Sequence, residues 1–210
     1  LDQKDKFSKQ ARFSNGWKEL YGDLIDWRAA QFGGKVVSVD PVKKIVVTED
    51  EEVQADVLNY IPNQKASQLA FDSGLVADGK DWCDIHPKTF ESKLVKNVHV
   101  IGDASNAAPM PKSAFSASTQ GKVVALQIAR MLKQQEPLNP PKLANTCYSL
   151  LSPNYGISIA AVYNALDDKI QNVDGAGGVS PETDPDGHIR ILEAKYAYAW
   201  YESQTADIFK

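Results

Sequence analysis

The chain has 210 residues, of which 43% are hydrophobic and 24% charged, with a formal net charge of −4. That is enough apolar material for one sizeable core or two small ones, and the acidic balance argues against a nucleic-acid surface built from Lys and Arg. No apolar run approaches the roughly 18 residues that a membrane-spanning helix needs.

The opening residues Leu1 to Lys6 are polar and lack the apolar centre of a signal peptide. From Lys4 to Trp27 the aromatics are spaced for a helix, with Phe13, Trp17 and Tyr21 four apart on one face. Val36–Val39 and Ile45–Thr48 are β-branched runs separated by Asp40-Pro41, a hairpin pattern. Asp56 to Ile61 reads as a further strand stopped by Pro62. Lys65 to Phe71 reads as a helix with Gly74 as its C-terminal cap.

Val98 to Ile101 reads as an apolar strand that runs directly into Gly102-Asp103. After a loop of small residues and prolines, Ser113 to Gln134 is helical in pattern, with a stripe of Gln120, Val124, Ile128 and Met131 and with Leu132 beside it. Ala114, Ala117 and Gly121 in its early turns leave room for a close neighbour. Three prolines between Gln134 and Asn145 mark a connection. Strand-like residues follow from Tyr148 to Tyr163, then a loop of Gly, Asp and Pro from Asp167 to Gly187. Tyr196 to Tyr201 fall within a final helix.

The chemistry-bearing pattern is a strand ending in Gly-Asp, a short loop, and a long helix. Gly102 permits a tight turn at the carboxyl end of the strand, where ligands bind in open α/β folds. Asp103 offers two carboxylate oxygens to sugar-like hydroxyls. The helix points its unpaired N–H groups and positive end at the same place. Lys112 and Ser113 stand at the helix start, as ligand contacts or, for Ser113, as a cap. His86, His99 and His188 lack metal-ligand spacing and read as structural. Phe115, Pro109 and Met110 could pack on the helix or form a docking surface. Cys83 and Cys147 are too few for a zinc site and too far apart for a CxxC pair; a disulfide between them stays open.

Several blocks carry a specific likeness: Val98 to Lys122 (VHVIGDASNAAPMPKSAFSASTQGK), Asp5 to Gln10, Asn145-Thr146-Cys147-Tyr148-Ser149, Tyr155 to Ser158, and Tyr196 to Tyr201. The layout of Asp84 to Thr89 and Ser92 ahead of Asp103 fits the same pattern. Together they resemble the flavoprotein subunit of flavocytochrome c sulfide dehydrogenase over nearly the whole chain. The resemblance implies an α/β, glutathione-reductase-like flavoprotein with two dinucleotide-type domains and a C-terminal α+β interface domain. It implies FAD as cofactor, sulfide as substrate, a c-type cytochrome subunit as partner, and a periplasmic location. In its terms Asp103, with Gly102, binds the ribityl chain, Cys147 is the more C-terminal cysteine of a redox disulfide, and Trp200 lies beside the flavin. Cys83 matches a position without a redox role.

Divided on this basis, residues 1–95 are the remainder of the second dinucleotide domain, 96–142 the last strand and helix of the FAD domain, and 143–210 the interface domain. A glycine-rich strand-turn-helix for the pyrophosphate is expected in such a flavoprotein. The only Gly-rich run, Gly175-Ala176-Gly177-Gly178, reads as a loop. The chain is therefore expected to be the C-terminal half of a longer protein, one that by itself binds FAD weakly or not at all and is inactive. The competing expectations are a quinone-coupled sulfide oxidoreductase, for which the terminal Ala206 to Lys210 is short and only mildly apolar, and a cofactor-free interaction module.

Overall fold

In the computed structural model, which describes residues 1–209, the opening aromatic segment forms helix α1 over Gln10–Tyr21. It is shorter than the aromatic spacing suggests. Lys9 at φ 63° and Gly22 at φ 57° put left-handed backbone at its two ends, which an α-helix cannot continue through. Phe13 and Trp17 do share a face, with ring centroids 5.4 Å apart. Phe7 closes on Phe13 at 5.5 Å and on Trp27 at 5.4 Å, both edge-on, so the aromatics outside the helix complete a small core.

The hairpin forms as its residues predict. Strands β1 (Val36–Asp40) and β2 (Ile45–Thr48) pair antiparallel, and the Asp40 carboxylate accepts the N–H groups of Val42 (3.0 Å) and Lys43 (2.9 Å) to close the turn. A third strand, β3 (Glu52–Gln54), pairs with β2 after a turn in which the Thr48 hydroxyl accepts from the N–H groups of Asp50 and Glu51. The strand expected at 56–61 is not formed. The β2–β3 ladder ends at Ile45–Gln54, and beyond it the segment has no partner strand among the described residues; Val57 (85%) and Ile61 (73%) are exposed. These elements form one compact unit, residues 1–63 with 181–185.

The second unit comprises residues 64–180 and 186–209. Residues 64–95, which the sequence division groups with the first part of the chain, pack here. Helix α2 (Gln68–Asp72) is brief. Gly74, at φ 67°, donates its N–H to the Phe71 carbonyl, and Leu75 donates to Ala70, which ends the helix as expected. The stretch from Val98 to Ile101 is extended but is not a regular strand. It meets residues 90–92 through single bonds, Val100 N–H to Phe90 O (2.8 Å) and Ser92 N–H to Val98 O (2.7 Å). Phe90 and Asn97, at φ 59° and 63°, bend the chain too sharply for a ladder.

Helix α3 spans Ala114–Leu132. Its buried face is Ser116, Gln120, Val124 and Gln127, with Ile128 packed beside Val124 on the core of Phe90, Leu143 and Tyr163. The expected stripe fails at its end, where Met131 and Leu132 are exposed, because the core stops short of the last turn. Strands β4 (Lys142–Ser152), β5 (Tyr155–Ala165) and β6 (Ile170–Val179) make an antiparallel sheet in that order. Helix α4 runs over His188–Phe209. Gly175-Ala176-Gly177-Gly178 lies within β6, not in a loop. Gly177 lets β6 pair closely beside β5: a Cβ there would stand 2.3 Å from the Ala160 carbonyl oxygen.

Alternation along β4 assigns its two faces. Leu143, Asn145 and Cys147 point toward α3, while Tyr148 points toward α4. Helix α4 lies so close to β5 that a Cβ on Gly156 would meet the Ala194 nitrogen at 2.4 Å. The chain as a whole is mixed α/β, with helices and two antiparallel three-stranded sheets. Gly156→Ala is expected to lower stability by about 2 kcal/mol or more, through forced separation of β5 and α4. Gly178→Ala, where an added Cβ meets nothing within 4 Å, is the matched control, with little change expected. Urea unfolding midpoints of the two variants provide the measurement.

Candidate functional site

Gly102 begins a single 3-10 turn, Gly102–Ala104, at the first turns of α3. Its φ of 66° suits glycine, and a Cβ there would already stand 3.3 Å from the Ala117 Cβ. Its N–H donates to Gln120 Oε1 at 2.7 Å, and its carbonyl accepts from Ser105 Oγ at 2.8 Å. The Cys83 N–H donates to Ala104 O, and the Asn106 N–H to Cys83 O. The turn is thus held from both sides through its backbone, and the Asp103 carboxylate is left exposed at its tip.

Lys112 secures the same turn. Its ammonium donates to the carbonyls of Asp103 (2.6 Å) and Ser105 (2.8 Å) and stands 3.7 Å over the Trp82 ring. Partial burial pushes its pKa down, against the opposing pull of Asp103. Cys83 beneath it is fully buried (0% exposed), and burial pushes its thiol up, with Asp84 adding to the rise. Both cysteines are free thiols, with no bond between them.

At the mouth of α3, Ser113 caps the helix by accepting the Ser116 N–H at 3.2 Å. The N–H groups of Ala114 and Phe115 make no hydrogen bond among the described residues, as the first turn of a helix requires unless a ligand or water supplies one. The Ser113 hydroxyl donates to Asn145 Oδ1 at 2.6 Å, and the Ser116 hydroxyl donates to the same oxygen at 3.1 Å. Thr119 Oγ1 donates to the Ala144 carbonyl at 2.9 Å. From the other end of the amide, Asn145 Nδ2 donates to Cys147 Sγ at 3.3 Å. Cys147 is half-buried.

Trp200 reaches from α4 to the same end of α3. Its ring centroid is 6.3 Å from that of Phe115 and 6.0 Å from that of Tyr148 on the edge strand β4. Its indole Nε1 is buried and has no hydrogen-bond partner among the described residues. A donor left in that state costs about 1–3 kcal/mol unless an acceptor reaches it. Burial, and after it Glu193 and Tyr196, raise the Tyr148 phenol above its ordinary range.

The six residues singled out from sequence therefore fall along one line of contacts: Gly102 and Asp103 against α3, Lys112 and Ser113 at its start, Cys147 one side chain beyond Ser113, and Trp200 against Phe115. Met110 is core rather than surface. Sequence reasoning missed Asn145, Gln120 and Ser116, the buried polar groups that join these parts. The signal was there in principle: Gln120 interrupts an apolar stripe, and Asn145 takes an inward position two residues after Leu143. The exposed Asp103 carboxylate, the unpaired N–H groups of Ala114 and Phe115 and the orphaned Trp200 indole N–H are the polar groups of this region that could meet a ligand.

Two family models match the chain. Residues 1–62 match the central region of the sulfide dehydrogenase [flavocytochrome c] flavoprotein chain, almost the span of the first compact unit. Residues 139–209 match the flavin-binding region of flavocytochrome c sulphide dehydrogenase, which is β4, β5, β6 and α4. The Gly102–Ser113 segment lies between the two matches. With more than half of its residues matched by two regions of one flavoprotein, the chain belongs to the family of flavocytochrome c sulfide dehydrogenase flavoprotein chains.

Proposed function

We propose that this chain forms one wall of the FAD site of a sulfide dehydrogenase and carries one sulfur of its redox disulfide. Family membership supports a flavin-linked role in sulfide oxidation. The observation that carries the reading to individual residues is the Gly102–Asp103 turn, clamped by its backbone onto α3 with its carboxylate exposed. Asp103 accepts hydrogen bonds from ribityl hydroxyls. The free N–H groups of Ala114 and Phe115 would receive the electron-rich edge of the ring, since the helix dipole favours negative charge there. Trp200 walls the ring and offers its indole N–H. Lys112 works one step back, keeping the Asp103 turn in place. Flavin supplies a two-electron acceptor that can pass electrons on singly.

Cys147 takes part in the sulfur chemistry. Attack by hydrosulfide on the disulfide breaks its S–S bond, forms a persulfide on one cysteine and releases the other as a thiolate. A bound flavin would be the acceptor for the two electrons, with a c-type cytochrome subunit as the onward partner. A glutathione-reductase-like whole, the division of the chain near residues 95 and 142, and a periplasmic location belong to the same proposal. Among the described residues no helix is long and apolar enough to cross a membrane.

Asp103→Ala is expected to weaken flavin binding about tenfold or more, the worth of charge-assisted hydrogen bonds to hydroxyls. Titration of the protein with FAD, followed by flavin fluorescence, gives the comparison, and equal affinity would remove the ribityl role. In the holoenzyme, Cys147→Ser is expected to cut sulfide-dependent reduction of the cytochrome by a factor of about a thousand or more while the flavin stays bound. Cys83→Ala, in the core beneath Lys112, should leave that rate within a few-fold of wild type.

A further inference from the structure

We infer that Asn145 is the positioning residue for the Cys147 sulfur, presenting it with a fixed N–H donor that favours its proton-free forms. The inference rests on the reading of Cys147 as the sulfur-handling residue. What it adds is a device for controlling that sulfur, which is visible in the hydrogen-bond network alone.

The orientation of the Asn145 amide follows from its neighbours. Ser113 Oγ accepts the Ser116 N–H as the helix cap, so its own proton is available to donate, and it points at Asn145 Oδ1 at 2.6 Å. The Ser116 hydroxyl, 1% exposed, donates to that oxygen as well. Both lone pairs of Oδ1 are thereby occupied. The end of the amide that remains for sulfur is Nδ2, at 3.3 Å. A protonated thiol could only donate back to Oδ1, at 3.5 Å and in competition with two hydroxyls. A thiolate, a disulfide sulfur and a persulfide sulfur accept instead, and each of these is served by the N–H.

The amide cannot readily rotate away. Asn145 is 2% exposed, it lies in the β4–β5 ladder opposite Ala161, and turning it would take the acceptor from the buried Ser116 hydroxyl and from the half-buried Ser113 hydroxyl. Cys147 in the same ladder stands opposite Ile159, so β5 gives the sulfur an apolar neighbour. On β5, burial and then the nearby Cys147 raise the Tyr163 phenol above its ordinary range. From α3 come the two serines, while the Lys112 ammonium just before the helix is occupied by the carbonyls of Asp103 and Ser105. The nearest stabilising partner for negative charge on the sulfur is therefore Asn145. When hydrosulfide attacks the partner sulfur of the disulfide, the new S–S bond forms there, with the proton retained as the persulfide. The pair from the broken bond goes to Cys147, where the Asn145 N–H meets it.

Asn145→Asp tests this. The change is isosteric and keeps an acceptor for Ser113 and Ser116, but it replaces the donor to sulfur with a second acceptor. In the reduced full chain, the rate of Cys147 alkylation by iodoacetamide is followed across pH 6 to 10 by peptide-resolved mass spectrometry, with Cys83 as the internal monitor of opening. Expected are a rate at neutral pH about tenfold lower and a pH profile moved about one unit upward, since thiolate reactivity follows stabilisation of the charge. An unchanged rate and profile would overturn the inference. If Cys83 in the variant becomes reactive, showing that the fold has loosened, Ser113→Ala decides. It frees the amide to turn and should also slow Cys147, and a wild-type profile there overturns the inference equally. Failure in this assay leaves the cytochrome-reduction result for Cys147→Ser standing, so the two readings fail separately.

Discussion

A helix that begins against a sheet brings side-chain hydroxyls to a surface that is otherwise apolar, and each of them needs a partner. In this protein the requirement is met by a line of hydroxyls along one side of α3, Ser113, Ser116 and Thr119, received by the side chain of Asn145 and the carbonyl of Ala144. Ser116 and Asn145 are buried, so leaving either without its partner costs on the order of 1–3 kcal/mol, which favours one docking geometry of α3 on β4. The position of Cys147 follows from it. Two residues along a strand is one step on the same face, so the sulfur falls within reach of the far end of the amide that holds the helix.

The other side of the helix mouth is organised around the backbone of a turn, which side chains grip. Gln120 reaches up from the second turn of α3 to the Gly102 N–H and passes its own amide to the Met110 sulfur. Lys112 folds across Trp82 to reach two carbonyls of the turn. With the main chain thus occupied, the Asp103 carboxylate is the part of the turn left facing solvent. A loop rigid in its backbone and open in one side chain is a suitable mount for a group that must meet a ligand at fixed distance.

The sheet β4–β5–β6 divides two environments. On its far face Glu193 of α4 accepts the hydroxyls of Ser158 (2.7 Å) and Ser180 (2.8 Å), which fixes the helix along and across the strands, while Gly156 lets it approach closely. That registration carries Trp200 to the edge strand, where it meets Phe115 from the opposite side. The sulfur network and the aromatic wall are therefore built by different helices on different faces and converge only because β4 is an edge.

Local pattern was enough for the hairpin, the cap at Ser113, the turn at Gly102 and the long helices α3 and α4, because each depends on residues a few positions apart. It was not enough for β6, whose glycines look like loop until the close approach to Ala160 gives them a reason. Nor did it exclude a strand at 56–61, where apolar residues suggest one but no neighbour exists to pair. Which polar side chains are buried, Asn145, Gln120 and Ser116 among them, was decided only in three dimensions. A buried hydrogen bond joins residues distant in sequence, and its existence depends on the packing of whole elements. The amino-acid sequence by itself determined which groups could do chemistry; the tertiary structure decided which of them touch.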